Sequence, residues 1–225
     1  MRYFAKITTT FALALVFSAG MAFGQDQDAE IEQFGTNTDA DISQVGDVGN
    51  DASITQGTES NPVGQFEAPS ASILQDGGNN TATVTQGNDN SGAVGVPEAS
   101  IDQIGDGNTG TVSQAFGGTG STVNIGEIYQ DGNDNTATLT QEHFGGAQSF
   151  TTNVAGSIEQ KNGDFNTATV TQKGSGAAFR ADVVQNGSDN TATLTQNDFG
   201  SAANLYDGDI MQVGSMNNAT ITQTP

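Results

Sequence analysis

The sequence predicts an all-β fold: a β-solenoid of stacked two-stranded repeats, each a strand, a turn and a strand. Three observations predict it. The first is a recurring skeleton: Gln, then Gly two residues on, Asn at five, Ala at seven and a second Gln at eleven. Gln75, Gly77, Asn80, Ala82 and Gln86 form one copy; Gln130, Gly132, Asn135, Ala137 and Gln141 form another. Two further copies run from Gln185 through Asn190 to Gln196 and from Gln212 through Asn217 to Gln223. Gln103, Asn108 and Gln114 keep the spacing with Gly110 in place of Ala. Two copies carry one extra turn residue, Gln44 through Asn50 to Gln56 and Gln160 through Asn166 to Gln172. The seven copies recur every 25 to 31 residues, the period of a solenoid or array.

The second observation is an Ile, Val or Leu two residues before every one of these Gln residues, as in Ile73, Val84, Ile128, Leu139, Val183 and Leu194. A spacing of two puts the aliphatic side chain and the Gln on one face of a strand, with Ala joining them on the second strand. The third is the segment between the strands. Asp131-Gly132-Asn133-Asp134-Asn135 is turn chemistry, since Gly supplies positive φ and Asn and Asp tolerate it. A helix is excluded by the weak propensity of Thr, Val, Asn and Gly and by the missing 3.6-residue apolar stripe. A single hairpin cannot bury its apolar face, but stacked copies can. Stacking places Gln over Gln and Asn over Asn at about 4.8 Å, where amides satisfy one another along the column.

At this point the chain resembles the curlin repeat of bacterial curli, the secreted functional amyloid of biofilm matrices. The likeness spans residues 31–223. It implies an amyloid-like solenoid and a structural subunit that polymerises outside the cell into adhesive fibres, at the surface of a bacterium or secreted from it. It also implies as partners further copies of the chain, a nucleator and export machinery. The inter-repeat loops are longer here than the family's, and the family's leading Ser is not regular.

Taken in order, residues 1–24 read as a secretory signal peptide: Arg2 and Lys6, the apolar run from Phe11 to Phe17, then Ala22 and Gly24 before a cleavage point at Gln25. No later stretch is long and apolar enough for a membrane-spanning helix. Residues 25–43 form a lead and an additional half-coil. Here Gln33, Gly35, Ala40 and Gln44 keep the offsets and Thr38 replaces Asn. Residues 44–225 hold the seven repeats, Gln33 and Gln44 forming the first rung and Gln212 and Gln223 the last. Long loops are expected after each second strand: 57–71, 87–99, 115–127, 142–156, 173–181 and 197–208. All are placed on one edge, and they carry Phe66, Phe116, Phe144, Phe150, Phe179 and Phe199, expected to pack over that edge.

Composition bounds the chemistry. From Gln25 onward, three basic residues stand against 26 acidic ones, a net charge of −23, which opposes binding to nucleic-acid phosphates and resists association until the charge is offset. With no Cys there are no disulfides, thiolate metal sites or Cys nucleophiles. No catalytic residue, metal ligand or cofactor is assigned. The sole histidine, His143, is expected on a surface loop. The turn residues Asp76, Asp106, Asp131, Asp134, Asp164 and Asp189 are expected to keep the edge charged, with diffuse Ca²⁺ screening rather than a defined site. The Thr-x-Thr face, with Asp51, Ser53, Asn218 and Gly110 interrupting it, supplies a rival reading: a monomeric secreted solenoid that binds ice or polysaccharide.

Overall fold

The computed structural model describes residues 27–34, 38–46, 48–57, 69–88, 94–117, 121–144, 152–174, 178–198 and 205–224. These residues form two parallel sheets. The sheet of first strands contains β2 (Asp39–Val45), β4 (Ser70–Asp76), β6 (Val94–Ile104), β8 (Ser121–Asp131), β10 (Thr152–Lys161), β12 (Ala178–Asn186) and β14 (Leu205–Val213). The sheet of second strands contains β1 (Asp28–Gln33), β3 (Asp51–Gln56), β5 (Thr81–Asn88), β7 (Thr109–Gly117), β9 (Thr136–Phe144), β11 (Thr167–Gly174), β13 (Thr191–Asp198) and β15 (Asn218–Gln223). The chain alternates between the sheets, so each repeat is one rung of a β-solenoid. No described helix is long and apolar enough to cross a membrane.

Register follows the sequence skeleton. Ile128 pairs with Ile158 and Gln130 with Gln160; Leu139 pairs with Val170 and Gln141 with Gln172. Strands alternate between buried and exposed residues, and the core is a continuous stack of Ile54, Ile73, Val84, Ile101, Val112, Ile128, Leu139, Ile158, Val170, Val183 and Leu194. The interior is thin because each large residue faces a small one. Ala52, Ala82, Gly110, Ala137, Ala168 and Ala192 make the small column of the second strands. The first strands have one too, in Ala71, Ala99, Gly126, Gly156, Ala181 and Gly208. A Cβ at Gly126 would meet Val112 Cγ1 at 3.0 Å and Leu139 Cδ2 at 3.1 Å, so the opposing aliphatic residue occupies that space.

The turns stack as tightly. Gly77 (φ 128°) and Gly105 (φ 105°) sit in the left-handed half of φ space, and a Cβ on either would run into the carbonyl oxygen of the next turn glycine. The residue before each turn Asn also takes positive φ: Gly49, Asn79, Gly107, Asp134, Phe165, Asp189 and Met216.

Four expectations need correction. Much of the expected loop chain is strand: β6, β8, β10, β12 and β14 begin well before the repeat skeleton, because the neighbouring rung offers each a paired strand to extend along. Second, Phe179 packs as expected but from within β12 and not from a loop: it is buried against Val154 and stacked on Tyr206 with ring centroids 5.5 Å apart. Phe116 and Phe144 fall within β7 and β9. Phe66, Phe150 and Phe199 lie outside the described residues. Third, His143 is in β9 and 5% exposed. It stands in register with Gly174, which pairs in turn with Asp198; the Phe179 ring takes the space that a side chain on Gly174 would fill. Fourth, β1 pairs with β3, so Gln33 belongs to the second-strand column and does not form a rung with Gln44 by way of a turn like those of the repeats.

Candidate functional site

The chemistry-bearing groups are concentrated in the ladders. One Gln column runs through the first strands as Gln44, Gln75, Gln103, Gln130, Gln160, Gln185 and Gln212. The other runs through the second strands as Gln33, Gln56, Gln86, Gln114, Gln141, Gln172, Gln196 and Gln223. Within each column Nε2 of one Gln donates to Oε1 of the next at 2.8–3.0 Å. The second amide hydrogen crosses the interior to a backbone carbonyl of the opposite sheet: Gln130 donates to Thr109 O at 3.1 Å, and Gln141 to Ile125 O at 2.9 Å. A carbonyl can only accept, so this crossing contact fixes which end of each amide is nitrogen. The interior members are fully buried and satisfied.

Every inter-rung Gln bond points the same way, from the β2 end toward the β15 end. The ladder is therefore polar. At its β1–β2 edge, Oε1 of Gln33 and of Gln44 receives no donor among the described residues. At the β14–β15 edge, Gln212 and Gln223 spend one amide hydrogen on Thr191 O and Asp207 O and present the other outward. The same edges leave Ile31, Ala40, Ile42, Ala219 and Ile221 only partly covered. Met211, Val213 and Met216 are 70–81% exposed beside Gln212, and Val45 and Val48 are exposed beside Gln44.

The Asn column works differently from an amide-on-amide stack. Each turn Asn accepts through Oδ1 from the backbone N–H of the next rung's Asn, as Asn50 does from Asn80, Asn80 from Asn108, and Asn108 from Asn135. Asn135, Asn166 and Asn190 accept in the same way from Asn166, Asn190 and Asn217. Its Nδ2 reaches the next turn's glycine carbonyl, as Asn50 does to Gly77 and Asn190 to Gly214. Only toward the β15 end do side-chain amides also meet one another, in Asn166–Asn135, Asn190–Asn166 and Asn217–Asn190. The Asn ladder thus joins turn backbone to turn backbone. Two of the turn carboxylates do likewise: Asp106 Oδ1 accepts from Gly78 N–H and Asp164 Oδ1 from Asn133 N–H. No group of three or more His, Cys, Asp or Glu converges on a metal position among the described residues.

The ion pairs lie on the outer faces. Lys161, Lys173 and Arg180 are spent on Glu159, Glu142 and Asp182 at 2.7–2.8 Å. Asp102 has a buried Oδ1 with no hydrogen-bond partner among the described residues; desolvation and then the nearby charge of Asp76 raise its pKa. Burial lowers the pKa of His143, whose Nδ1 has no hydrogen-bond partner among the described residues. The Thr face is more regular than its sequence suggested. Thr83, Thr111, Thr138, Thr169, Thr193 and Thr220 stand in one unbroken column, and Gly110 points inward with the Ala column instead of interrupting it. Three features escaped the sequence reading: the first-strand Ala/Gly column, the positive φ of Phe165 and Met216 in the turns, and the direction of the Gln ladder. The first had a legible signal, a small residue two before each first-strand aliphatic.

No family model, curated protein or solved structure matches the chain.

Proposed function

We propose that this chain is a secreted structural subunit that polymerises with copies of itself into a curlin-like, amyloid-type fibre serving adhesion and biofilm matrix. The observation that carries this reading is the pair of complementary open ladder ends. In the first-strand column Gln44 ends one edge with an amide acceptor and Gln212 ends the other with an amide donor, each beside partly covered aliphatic residues. Unpaired strand edges template pairing with another chain, and identical ladders in register stabilise the product. Growth is by addition of rungs, with further copies as the principal partner and a nucleator and export machinery as accessory ones. No catalytic step, cofactor or resident metal belongs to this reading.

The Thr columns favour a second reading, a monomeric solenoid that binds ice or polysaccharide on the flat outer face of the second-strand sheet. One experiment separates the two. The chain from Gln25 is diluted from denaturant and imaged over time. Fibres with a cross-β reflection near 4.8 Å support the first reading. A β-rich monomer that persists at high concentration and salt overturns it in favour of the second.

A further inference from the structure

The two sheets do not have equal numbers of strands. Among the described residues the second-strand sheet has eight and the first-strand sheet seven. A stack of identical copies advances by one distance along both sheets, so with strands equally spaced the two counts must match. If β15 of one copy sat on β1 of the next, the first-strand sheet would lack a strand at each junction. If β1 were absent from the stack, β14 would meet β2 and β15 would meet β3, and every chain would contribute seven full rungs.

β1 is built as a copy of β15. Ala29, Ile31 and Gln33 occupy the inward positions held in β15 by Ala219, Ile221 and Gln223, each in register with the corresponding residue of a neighbouring second strand. Asp28 N–H donates to Asn50 O at 2.8 Å, the bond that Thr191 N–H makes to Asn217 O. Gln27 stands where β15 has Asn217. Its Nε2 donates to Gly46 O at 3.2 Å, as Asn50 donates to Gly77 O and Asn190 to Gly214 O. Asp28 O accepts from Gln44, as Thr191 O accepts from Gln212. Every ladder position that a neighbouring copy would fill on β3 is already filled, but by a weaker occupant. β1 places Asp28 beside Asp51 and carries Glu30 and Glu32 outward, where β15 carries Asn218, Thr220 and Thr222. Like charges in register repel, and opposing Thr or Ser pairs do not.

We infer that β1 is an intramolecular stand-in for the β15 strand of a second copy, and that assembly exchanges one for the other on β3. This rests on the self-assembly proposed above. The docked β1 guards the edge of the isolated chain. Its displacement opens β2 and β3 together to β14 and β15 of the incoming copy, whose Gln212 and Gln223 then donate to Gln44 and Gln56.

The test uses the absence of native cysteines. Glu32→Cys with Thr55→Cys, at register partners of β1 and β3, ties β1 down when oxidised. The oxidised protein is expected to lose fibre growth on parent seeds and the reduced protein to regain it. Equal growth in both states overturns the exchange. A second pair reads the junction directly and does not depend on the first variant's folding. In fibres assembled from a mixture of Thr222→Cys chains and Thr55→Cys chains, oxidation is expected to give covalent dimers, because β15 lies on β3 of the next copy. Dimers from a mixture of Thr222→Cys chains and Glu32→Cys chains instead show β15 on β1 and overturn it. A parent chain that forms no fibres sinks the self-assembly reading itself, which distinguishes that failure from this one.

Discussion

At the scale of single residues, the amides decide the interior. Gln130 accepts from Gln103 and donates to Gln160 and to Thr109 O. Gln130→Ala removes three buried hydrogen bonds and takes from Gln160 Oε1 its donor, at about 1–3 kcal/mol for a buried group left unsatisfied. Thr138→Ser, on the outer face, is expected to cost far less, and the difference is read as midpoint shifts in urea unfolding. Phe165 adds a case of strain. It holds φ 58° while 60% exposed, so a bulky residue occupies a left-handed turn with little packing in return. Phe165→Gly is expected to stabilise by about 1 kcal/mol in the same measurement. Two titrations act in opposite directions. His143 has a depressed folded pKa, so it lends stability above the unfolded value of about 6.5 that is lost as pH falls. Asp102 has a raised folded pKa, so stability present below the unfolded value of about 3.9 is lost as pH rises through the folded one. His143→Leu should therefore flatten the loss of thermal stability between neutral pH and pH 5. Asp102→Asn should raise the melting temperature at pH 7 and leave it nearly unchanged near pH 3.

Elements were legible to the extent that the repeat itself encodes them. The Gln and aliphatic offsets locate both strands of each rung, and the Gly–Asn turn locates the bend between them, because those side chains serve the same contact in every copy. What lay outside the repeat was not legible. β8 begins at Ser121 and β10 at Thr152 because each has a neighbour to pair with, and that depends on stacking rather than on local pattern. His143 is buried for the same reason: its surroundings are supplied by Gly174 and by the elements packed there, about a repeat away in sequence. The spacing from Gln33 to Gln44 imitates a turn, yet β1 joins the other sheet, since inward Ala29, Ile31 and Gln33 match β3 in register. The turns carry an element-scale prediction. Gly105→Ala puts a methyl group against the carbonyl of Gly132 at φ 105°, so it should destabilise far more than Gly87→Ala, where a Cβ meets nothing within 4 Å. Paired urea unfolding curves check this.

For the whole molecule, interior attraction competes with surface charge. In the proposed fibre, stacking places carboxylates such as Asp207 and Asp209 near Asp39 and Asp41 of the next copy, while the ladders attract. With a net charge of −23 from Gln25 onward, the repulsion is expected to delay nucleation at neutral pH and low salt. Raising salt to about 0.15 M shortens the Debye length to roughly 8 Å and should shorten the lag; lowering pH toward about 4 should shorten it further. Lag times across a pH and NaCl grid check this, and a lag lengthened by salt would remove charge as the brake. The central claim is that the solenoid continues from one copy into the next through its own ladders. The most direct measurement is the axial advance per chain in fibres grown from the folded protein, obtained by helical reconstruction. Seven rungs at about 4.8 Å predict an advance of about 34 Å, with parallel in-register strands running through every junction. Fibres whose chains meet laterally, or whose strand ladder breaks at each junction, would contradict it.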